Sequence, residues 1–352
     1  MTAIHKAKTS PDRPMFRPPT QAWSVRTVLS EDFFRRFSPL FAPHLEALGI
    51  DDLLLQQADV EIPGEQYIAL WEAASKDNPN IGLELGGRTE ANDFGALGHA
   101  LHCATSVEMA LRTLQRFIVV FSQESTINVQ CNARSASVEY LVNAPAILYR
   151  RQDSEFAIAS ILRQFELITG SAIKPLRVDF EHGKPADISV HKRVFQCPVH
   201  FRQPSNRIHF AADAMRLPVA HGNERLYQAL VPYLEQERRN RSIGDEILLQ
   251  VSHLIATGMS SGALSLDDVS QRLGLNRRTL QRRLKDQDIE FSSLTEDVRR
   301  DMAMAYMRGS DYSVTEISLL VGYAESSSFT RAFRRWTGLS PQQYRASCLP
   351  QG

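Results

Sequence analysis

The sequence has few cysteines and lacks long hydrophobic runs. Its 352 residues include four cysteines, and no pair of them has the C-x-x-C spacing of common zinc and redox sites. No run reaches the ~18 apolar residues that span a membrane, and residues 1–20 lack the apolar segment of a signal peptide. We therefore expect a cytoplasmic protein with reduced thiols, no bound metal and no membrane contact, with a redox or metal sensor as the alternative. The cysteines are Cys103, Cys131, Cys197 and Cys348.

An excess of either charge is also absent. The chain has 40 Lys and Arg against 40 Asp and Glu, and from Arg241 onward the counts are 14 and 13. Local clusters of basic residues can still bind nucleic acid, because attraction to phosphates depends on the charge of the contacting face and not on the net charge of the chain. With 43% hydrophobic and 23% charged residues the composition is that of a globular protein, and the length favours two domains.

One pattern occurs twice near the end of the chain, at residues 265–274 and, 48 positions later, at residues 313–322. Each copy begins with a serine that can cap a helix, continues with apolar residues at helical spacing, and ends with a glycine where the chain must turn. The first copy is defined by Ser265, Leu266, Val269, Leu273 and Gly274, and the second by Ser313, Val314, Ile317, Val321 and Gly322.

A basic helix is predicted after each glycine. The first runs from about Arg277 to Lys285, with Leu280 and Leu284 on its inner face and five cations without a carboxylate. In the second basic helix, Phe329 and Phe333 are predicted to lie on the inner face. A helix, a turn and a basic helix are typical of a helix-turn-helix, whose second helix enters the major groove of DNA, ~12 Å wide. The alternative is a solvated basic surface, but the duplication favours double-stranded DNA as the partner.

The end of the chain carries a long motif, GYAESSSFTRAFRRWTGLSPQQYR, from Gly322 to Arg345. This motif resembles the signature of the AraC/XylS family of bacterial transcription regulators, and the likeness extends over about residues 243–346. It implies an all-α domain with two tandem helix-turn-helix units. A long helix near Leu294 to Met307 would link the units, and a short helix would start at Pro341. The first helix would use Ile243, Ile247, Leu248, Val251, Leu254 and Ile255.

The resemblance also implies which residues contact DNA. Base edges would be contacted by Arg278, Gln281, Arg282, Ser326, Ser327, Thr330 and Arg331. Phosphates would be contacted by Arg277, Thr279, Arg283, Lys285, Ser328, Arg334 and Arg335. Arginine reads guanine through two hydrogen bonds, whereas hydroxyl groups have short reach and serve either role. We therefore expect one well-defined and one degenerate DNA box, separated by about one helical turn (~10 base pairs).

Helix and strand signals alternate before this region. The order of helix, hairpin, helix and short strands is that of an α+β or mixed α/β domain, not of an all-strand jelly roll. The predicted helices are Val107–Phe121 and Ser154–Thr169, the latter ending at Gly170. The predicted strands are Thr126–Cys131, Ala136–Asn143, Leu176–Phe180 and Arg207–Ala211.

Diffuse motifs in the same part resemble the N-terminal effector-binding domain of the regulator subgroup that includes ornithine-utilisation regulators. They lie at Ile62-Pro63, Tyr67 and Leu70-Trp71, and at residues 81–86, 93–98 and 195–199. The likeness implies binding of a small-molecule effector and dimerisation, but it assigns neither the effector nor the residues of its pocket. We expect a disordered arm (1–22), an effector-binding and dimerisation domain (23–234), a polar linker (235–245), a DNA-binding domain (246–346) and a tail (347–352).

Several local features could be mistaken for chemical sites. His99, His102 and Cys103 have a spacing that a metal could use, but no further ligand is nearby in sequence. The glycines at 82, 86 and 87 lack the Gly-Lys-Ser/Thr continuation of a phosphate loop and are predicted to form a turn. The serines at 326–328 have no His or Asp in a fixed relation, and the leucines at 53–55 are predicted to pack in the core.

These observations together predict a bacterial transcription regulator, an activator that would also contact RNA polymerase, acting as a homodimer without a cofactor. One alternative is a constitutive DNA-binding regulator without a ligand. Another is a DNA-binding enzyme such as an alkyltransferase, which needs a metal-bound cysteine cluster or a Pro-Cys-His site. Cys197-Pro198 has the reverse order, so we expect no catalytic residues.

Overall fold

The computed structural model describes residues 26–45, 59–143, 150–241, 245–259, 264–310 and 312–348. The expected disordered arm, the three leucines at 53–55 and Ile243 lie outside these ranges. Among the helices of these ranges, none combines the length and the apolar composition that a membrane span requires. Within the same ranges, no group of three or more His, Cys, Asp and Glu side chains could hold a metal ion.

The first part of the chain contains both helices and strands, as the alternating signals predicted. Its helices are α1 (Glu31–Leu45), α2 (Gly64–Ala74), α3 (Ile81–Gly86), α4 (Gly95–Cys103), α5 (Val107–Phe121), α6 (Arg151–Thr169), α7 (Ser189–Phe195) and α8 (Glu224–Arg241). Its strands are β1 (Arg26–Ser30), β2 (Asp59–Pro63), β3 (Ser125–Cys131), β4 (Ser135–Val142), β5 (Arg177–Asp179), β6 (Val199–His200) and β7 (Asn206–Ala211).

The strands form two sheets. β1 and β2 pair as an antiparallel ribbon, and the other strands form a five-stranded sheet in the order β3-β4-β7-β5-β6. β3 and β4 are the predicted hairpin, with Ser125 opposite Val142 and Cys131 opposite Ala136. Alternate residues of β4 are buried, because successive side chains of a strand point to opposite faces. The buried face packs against helices α5 and α6 in one hydrophobic core.

Helix α3 corrects one interpretation of the sequence. Gly82 and Gly86 lie inside this helix and not in a turn, and only Gly87 is at its end. A Cβ atom at Gly82 would lie 2.1 Å from the carbonyl oxygen of Gln152, and one at Gly86 would lie 2.6 Å from that of Phe156. The two glycines therefore allow α3 to approach α6 closely, a tertiary requirement with no local signal.

The segment expected to be a linker is helical for most of its length. Residues 235–241 form the last turns of α8. They directly follow Leu234, which is fully buried in the same helix. Glu235 forms an ion pair with Arg116 of α5, and Arg241 lies 3.2 Å from Glu61 of β2. These ion pairs join residues 235–241 to α5 and β2 of the first part of the chain.

The second part of the chain is helical and has a hydrophobic core of its own. Leu248, Val251 and Ile255, three of the residues predicted for its first helix, are buried in that core. Its helices are α9 (Asp245–Gly258), α10 (Leu266–Arg272), α11 (Arg277–Lys285), α12 (Phe291–Gly309), α13 (Val314–Leu320), α14 (Ser326–Thr337) and α15 (Pro341–Cys348).

Candidate nucleic-acid interface and ligand cavity

The first helix-turn-helix consists of α10 and α11. Ser265 caps α10: its hydroxyl accepts from the Asp268 backbone at 3.2 Å, and the Asp268 carboxylate accepts from the Ser265 backbone at 2.9 Å. Gly274 adopts a φ of +65°, a conformation that favours glycine. Asn276 then caps α11 by accepting from the backbone nitrogen of Thr279 at 2.8 Å. Two caps and one glycine thus fix the angle between the helices.

Buried Leu280 and Leu284 hold α11 against the second core and leave its opposite face to solvent. Thr279 is half-buried, and the guanidinium of Arg277 turns back to Asp267 on α10 at 2.9 Å. Both side chains of that ion pair are 61% exposed, so the pair does not block Arg277 from another anion. The exposed side chains of α11 are Arg277, Arg278, Gln281, Arg282, Arg283 and Lys285.

The second unit, α13 and α14, repeats this construction. Ser313 caps α13 through a reciprocal pair of hydrogen bonds with Glu316, and Gly322 has a φ of +78°. Phe329 and Phe333 are fully buried beneath α14, their ring centroids 5.5 Å apart. The helix ends at Gly338, whose backbone adopts the left-handed conformation that is common for a glycine directly after a helix.

The outer face of α14 offers fewer free polar groups than that of α11. The hydroxyl of Thr330 donates to the backbone oxygen of Ser326 at 2.8 Å, and that of Ser327 donates to Glu325 at 3.2 Å. The guanidinium of Arg331 donates to Ser328 at 3.3 Å. Ser326, Ser328 and Thr330 are half-buried, and Ser327, Arg331, Arg334 and Arg335 are exposed.

Helix α12 positions the second unit through two charged residues that sequence reasoning missed. Glu296 accepts hydrogen bonds from Arg335 and from the indole nitrogen of Trp336, the latter at 3.0 Å. Arg299 donates to the backbone oxygen of Val321 at 3.0 Å, and its guanidinium lies 5.0 Å from the ring centroid of Tyr323. A charged i, i+3 pair on a helix is ordinarily solvated, so the sequence carried no signal for this role.

We expect Glu296→Gln to loosen the second unit without unfolding the protein. The variant loses a charge-assisted contact that is partly exposed, so the free energy of unfolding should fall by about 1 kcal/mol. Affinity for DNA should fall a few-fold, and a footprint should lose protection at only one of the two boxes. Asp297→Asn, which breaks the ion pair with Arg300 within α12, is the control and should leave both boxes protected. A footprint that is the same for the two variants would contradict the positioning role.

A cavity of about 80 Å³ lies in the first core, between helices α4, α5 and α6 and the β3-β4 hairpin. It is several times larger than one water molecule requires, and most of its lining is apolar. The apolar lining residues are Phe94, Leu97, Leu101, Ala110, Leu111, Leu114, Ile118, Phe121, Ile127, Phe156, Ala157, Ile161, Phe165 and Ile168. The polar ones are Tyr67, Ser122, Ser125, Tyr140, Asp153, Ser160 and Gln164.

Polar groups at one end of the cavity form a chain of hydrogen bonds. The hydroxyl of Ser122 donates to that of Ser125 at 2.7 Å, and the Ser125 and Tyr140 hydroxyls are 2.9 Å apart. Tyr140 donates to Oδ2 of Asp153 at 2.8 Å. Burial raises the pKa of Asp153 to about 7, the Tyr140 hydrogen bond opposes that shift, and the carboxylate of Glu124 adds to it. Such a shift is typical of functional sites.

Farther along α6, Gln164 is bound to His102 at 2.9 Å and to Thr89 at 3.3 Å. The hydrogen bond explains His102 as a structural residue, and Cys103 beside it is buried. Ser160 also faces the cavity, and its buried hydroxyl has no hydrogen-bond partner among the described residues. A buried hydroxyl without a partner indicates a place where a ligand or a water molecule binds.

Two models of known families match the chain. The N-terminal arabinose-binding domain of AraC transcription regulator matches residues 41–219, and a helix-turn-helix domain matches residues 269–347. The first span contains the cavity, and the second contains nearly all of both helix-turn-helix units.

Similar proteins cover most of the chain. It is 25% identical over 321 residues to the HTH-type transcriptional regulator VirS of Mycobacterium tuberculosis, which covers 90% of this chain and 93% of that protein. It is 24% identical over 267 residues to the ornithine utilization regulator of Pseudomonas aeruginosa, at 76% and 78% coverage. The crystal structure of the transcriptional regulator CdpR from Pseudomonas aeruginosa is 21% identical, with a TM-score of 0.43 and coverage of 88% and 98%.

Proposed function

This chain belongs to the AraC family of transcription regulators, and from this premise we propose that a small-molecule effector bound in its N-terminal domain controls how its C-terminal domain binds promoter DNA. DNA binding by the C-terminal domain follows from the family and from the tandem helix-turn-helix units. The observation that carries it is the exposed basic face of α11, set by two caps and a left-handed glycine.

The proposed contacts with DNA are those that the family resemblance implies, and most of the side chains concerned are exposed on α11 and α14. On α11, Arg278 and Arg282 are one helical turn apart and exposed, which suits contact with base edges, with Gln281 beside them. Arg277, Thr279, Arg283 and Lys285 flank that face and suit phosphates. On α14 the base contacts would come from Ser326, Ser327, Thr330 and Arg331, and the phosphate contacts from Ser328, Arg334 and Arg335.

The cavity is the proposed effector site, because it is the largely apolar space, with a few convergent polar groups, that small ligands ordinarily occupy. We propose the domain bounds of the sequence analysis, with one change: the linker is shortened to residues 242–244, since α8 extends to Arg241 and α9 begins at Asp245. Activation through RNA polymerase, a homodimer formed by the N-terminal domain and action in the cytoplasm belong to the same proposal.

Coupling between the two parts would run through the start of α6. Arg150, which precedes α6, forms a two-point ion pair with Glu181 at 2.5 and 3.1 Å. Burial lowers the pKa of His253 on α9, and the Arg150 charge lowers it further. Arg150 is one helical turn from Asp153 in the cavity wall. A ligand that moves this turn would therefore alter the surroundings of α9, and it would shift DNA binding by its differential affinity for the two arrangements.

A fragment from Arg241 to Gly352 should bind the same DNA site more weakly than the full-length protein. The fragment keeps the second core but loses the proposed dimer, and with it the high effective concentration at a second site, so affinity should fall about tenfold or more. Its response to any effector should disappear. The measurement is a gel shift of both proteins on the native upstream DNA, with and without compounds from a thermal-shift screen. Equal affinities, together with no responsive compound, would contradict the assigned roles of the N-terminal domain.

A further inference from the structure

We propose that the cavity binds an apolar primary amine, whose ammonium group pairs with the Asp153 carboxylate and whose hydrocarbon part fills the apolar lining. This inference rests on the proposed effector control and names the chemical class of the effector. It comes from the charge, the geometry and the length of the cavity.

The charges around the cavity favour a cation. Among the described lining residues Asp153 is the only carboxylate, and none is Lys, Arg or His. Glu72 and Glu124 lie close enough to raise the pKa of Asp153 by their own charge. A carboxylate or phosphate ligand would therefore be buried beside negative charge with no cation in the wall, which is costly. An ammonium group would instead neutralise a carboxylate that is already buried.

The geometry of Asp153 leaves one oxygen for a ligand. Its side chain is 2% exposed, and Oδ2 accepts the hydrogen bond from Tyr140. Oδ1 accepts no hydrogen bond from the described residues, although the residue lines the cavity. The guanidinium of Arg150, whose charge lowers the pKa of Asp153, is paired with Glu181. An ammonium donor would complete the hydrogen bonding of this carboxylate.

The lining of α6 also limits the length of the ligand. Asp153, Ala157 and Ser160 lie along one side of the helix, and Ser160 is seven residues beyond Asp153. At ~1.5 Å per residue this places the two polar points ~10 Å apart, with apolar wall between them. A molecule with an amine at one end and a ring or short chain as its body fits this space. A polar group at the far end could bind the free hydroxyl of Ser160.

The test uses the full-length protein and three probes of similar size, 2-phenylethylamine, 2-phenylethanol and phenylacetate. Their affinities are measured by calorimetry and by thermal shift. We expect the amine to bind at least ~10-fold more tightly than phenylacetate, with the alcohol between them, since hydrogen bonds to charged groups are the stronger ones. Tightest binding by phenylacetate, or binding of none of the three, would overturn the proposal.

Variants then locate the contact. Asp153→Asn should weaken binding of 2-phenylethylamine by about 10- to 100-fold and change 2-phenylethanol binding by less than about 3-fold. The alcohol thus also reports whether the variant is folded. Glu166→Gln removes the same charge from the same helix outside the cavity lining and should leave both affinities unchanged. An Asp153→Asn protein that binds the amine like the wild type would contradict the assigned contact.

The pH dependence of the wild-type protein gives a second readout that does not depend on a variant. The amine stays protonated below pH ~9, whereas Asp153 has a pKa of about 7, so only the ionised carboxylate attracts the ligand. Affinity for 2-phenylethylamine should rise about tenfold from pH 6 to pH 8. The titratable and charged groups that interact electrostatically with Asp153 are Tyr67 and Glu72 of α2, Glu124, Tyr140 of β4 and Arg150. Affinity that is flat or falls over this range would contradict the proposal.

These outcomes separate the inference from the proposed function. If an anionic compound from the screen binds and alters DNA binding, effector control stands and the amine is wrong. If no compound of any charge stabilises the protein while DNA binding is intact, effector control itself is contradicted.

Discussion

Inserting five base pairs between the two boxes of the binding site should abolish tight binding. Five base pairs rotate one box by about half a turn of the duplex, so the second groove faces away from α14. The two units cannot follow, because Glu296 and Arg299 of α12 hold the second unit by its backbone and by Trp336. Losing the contacts of one unit should reduce affinity at least ~100-fold, as measured by gel shift at fixed salt.

The matched control for this insertion replaces five base pairs between the boxes without changing their spacing. Affinity should then stay within about threefold, because base contacts are expected only in the boxes. An insertion of ten base pairs restores the face of the duplex but moves the box by ~34 Å, so a rigid monomer should lose binding to this DNA as well. Unchanged affinity after the five-base-pair insertion would contradict the two-groove arrangement.

Replacing both Arg278 and Arg282 with alanine should remove most of the sequence preference of the protein. Each arginine that reads guanine with two hydrogen bonds contributes ~1 to 3 kcal/mol of discrimination, so the double variant should lose about 2 to 6 kcal/mol at the guanines it reads. Binding to non-specific DNA should fall much less, since many phosphate contacts remain. Selection from randomised DNA should yield a consensus that is degenerate in the first box.

Two single variants sharpen this prediction. Arg277→Ala should weaken binding to all sequences alike and lower the salt dependence, because Arg277 is proposed to contact phosphate. Arg308→Ala removes an exposed cation in the last turn of α12, outside both recognition helices, and should change neither affinity nor consensus. The same consensus for wild type and for the Arg278→Ala, Arg282→Ala protein would refute the assignment of base contacts.

The helix-turn-helix units could be predicted closely from the sequence because their determinants are local. The predicted bounds of α11, Arg277 to Lys285, agree with the structure. Ser265, Asn276 and Gly274 act within a few residues of where they stand, through caps and a positive φ. The family and the mixed α/β and all-α fold classes are confirmed by the matches at residues 41–219 and 269–347.

The remaining features depend on parts of the chain that meet only in the fold. The cavity is lined by residues from Tyr67 to Ile168, drawn from several helices and two strands, and no local pattern joins them. Asp153 in the first turn of α6 looks like an ordinary complement to the helix dipole. The sequence predicts a turn at Gly82, because the requirement for glycine there is the close approach of α6 at Gln152, 70 positions away.

A footprint of the full-length protein on the DNA upstream of its own gene tests the central claim most directly. Hydroxyl-radical cleavage resolves single nucleotides, so it reports how many grooves are occupied and on which face. Within each site that one monomer binds, two protected segments about one helical turn (~10 base pairs) apart on one face of the duplex are expected, with sharper protection at the box bound by α11. A single protected segment, or uniform protection along the whole fragment of DNA, would contradict sequence-specific recognition by two helix-turn-helix units of one monomer.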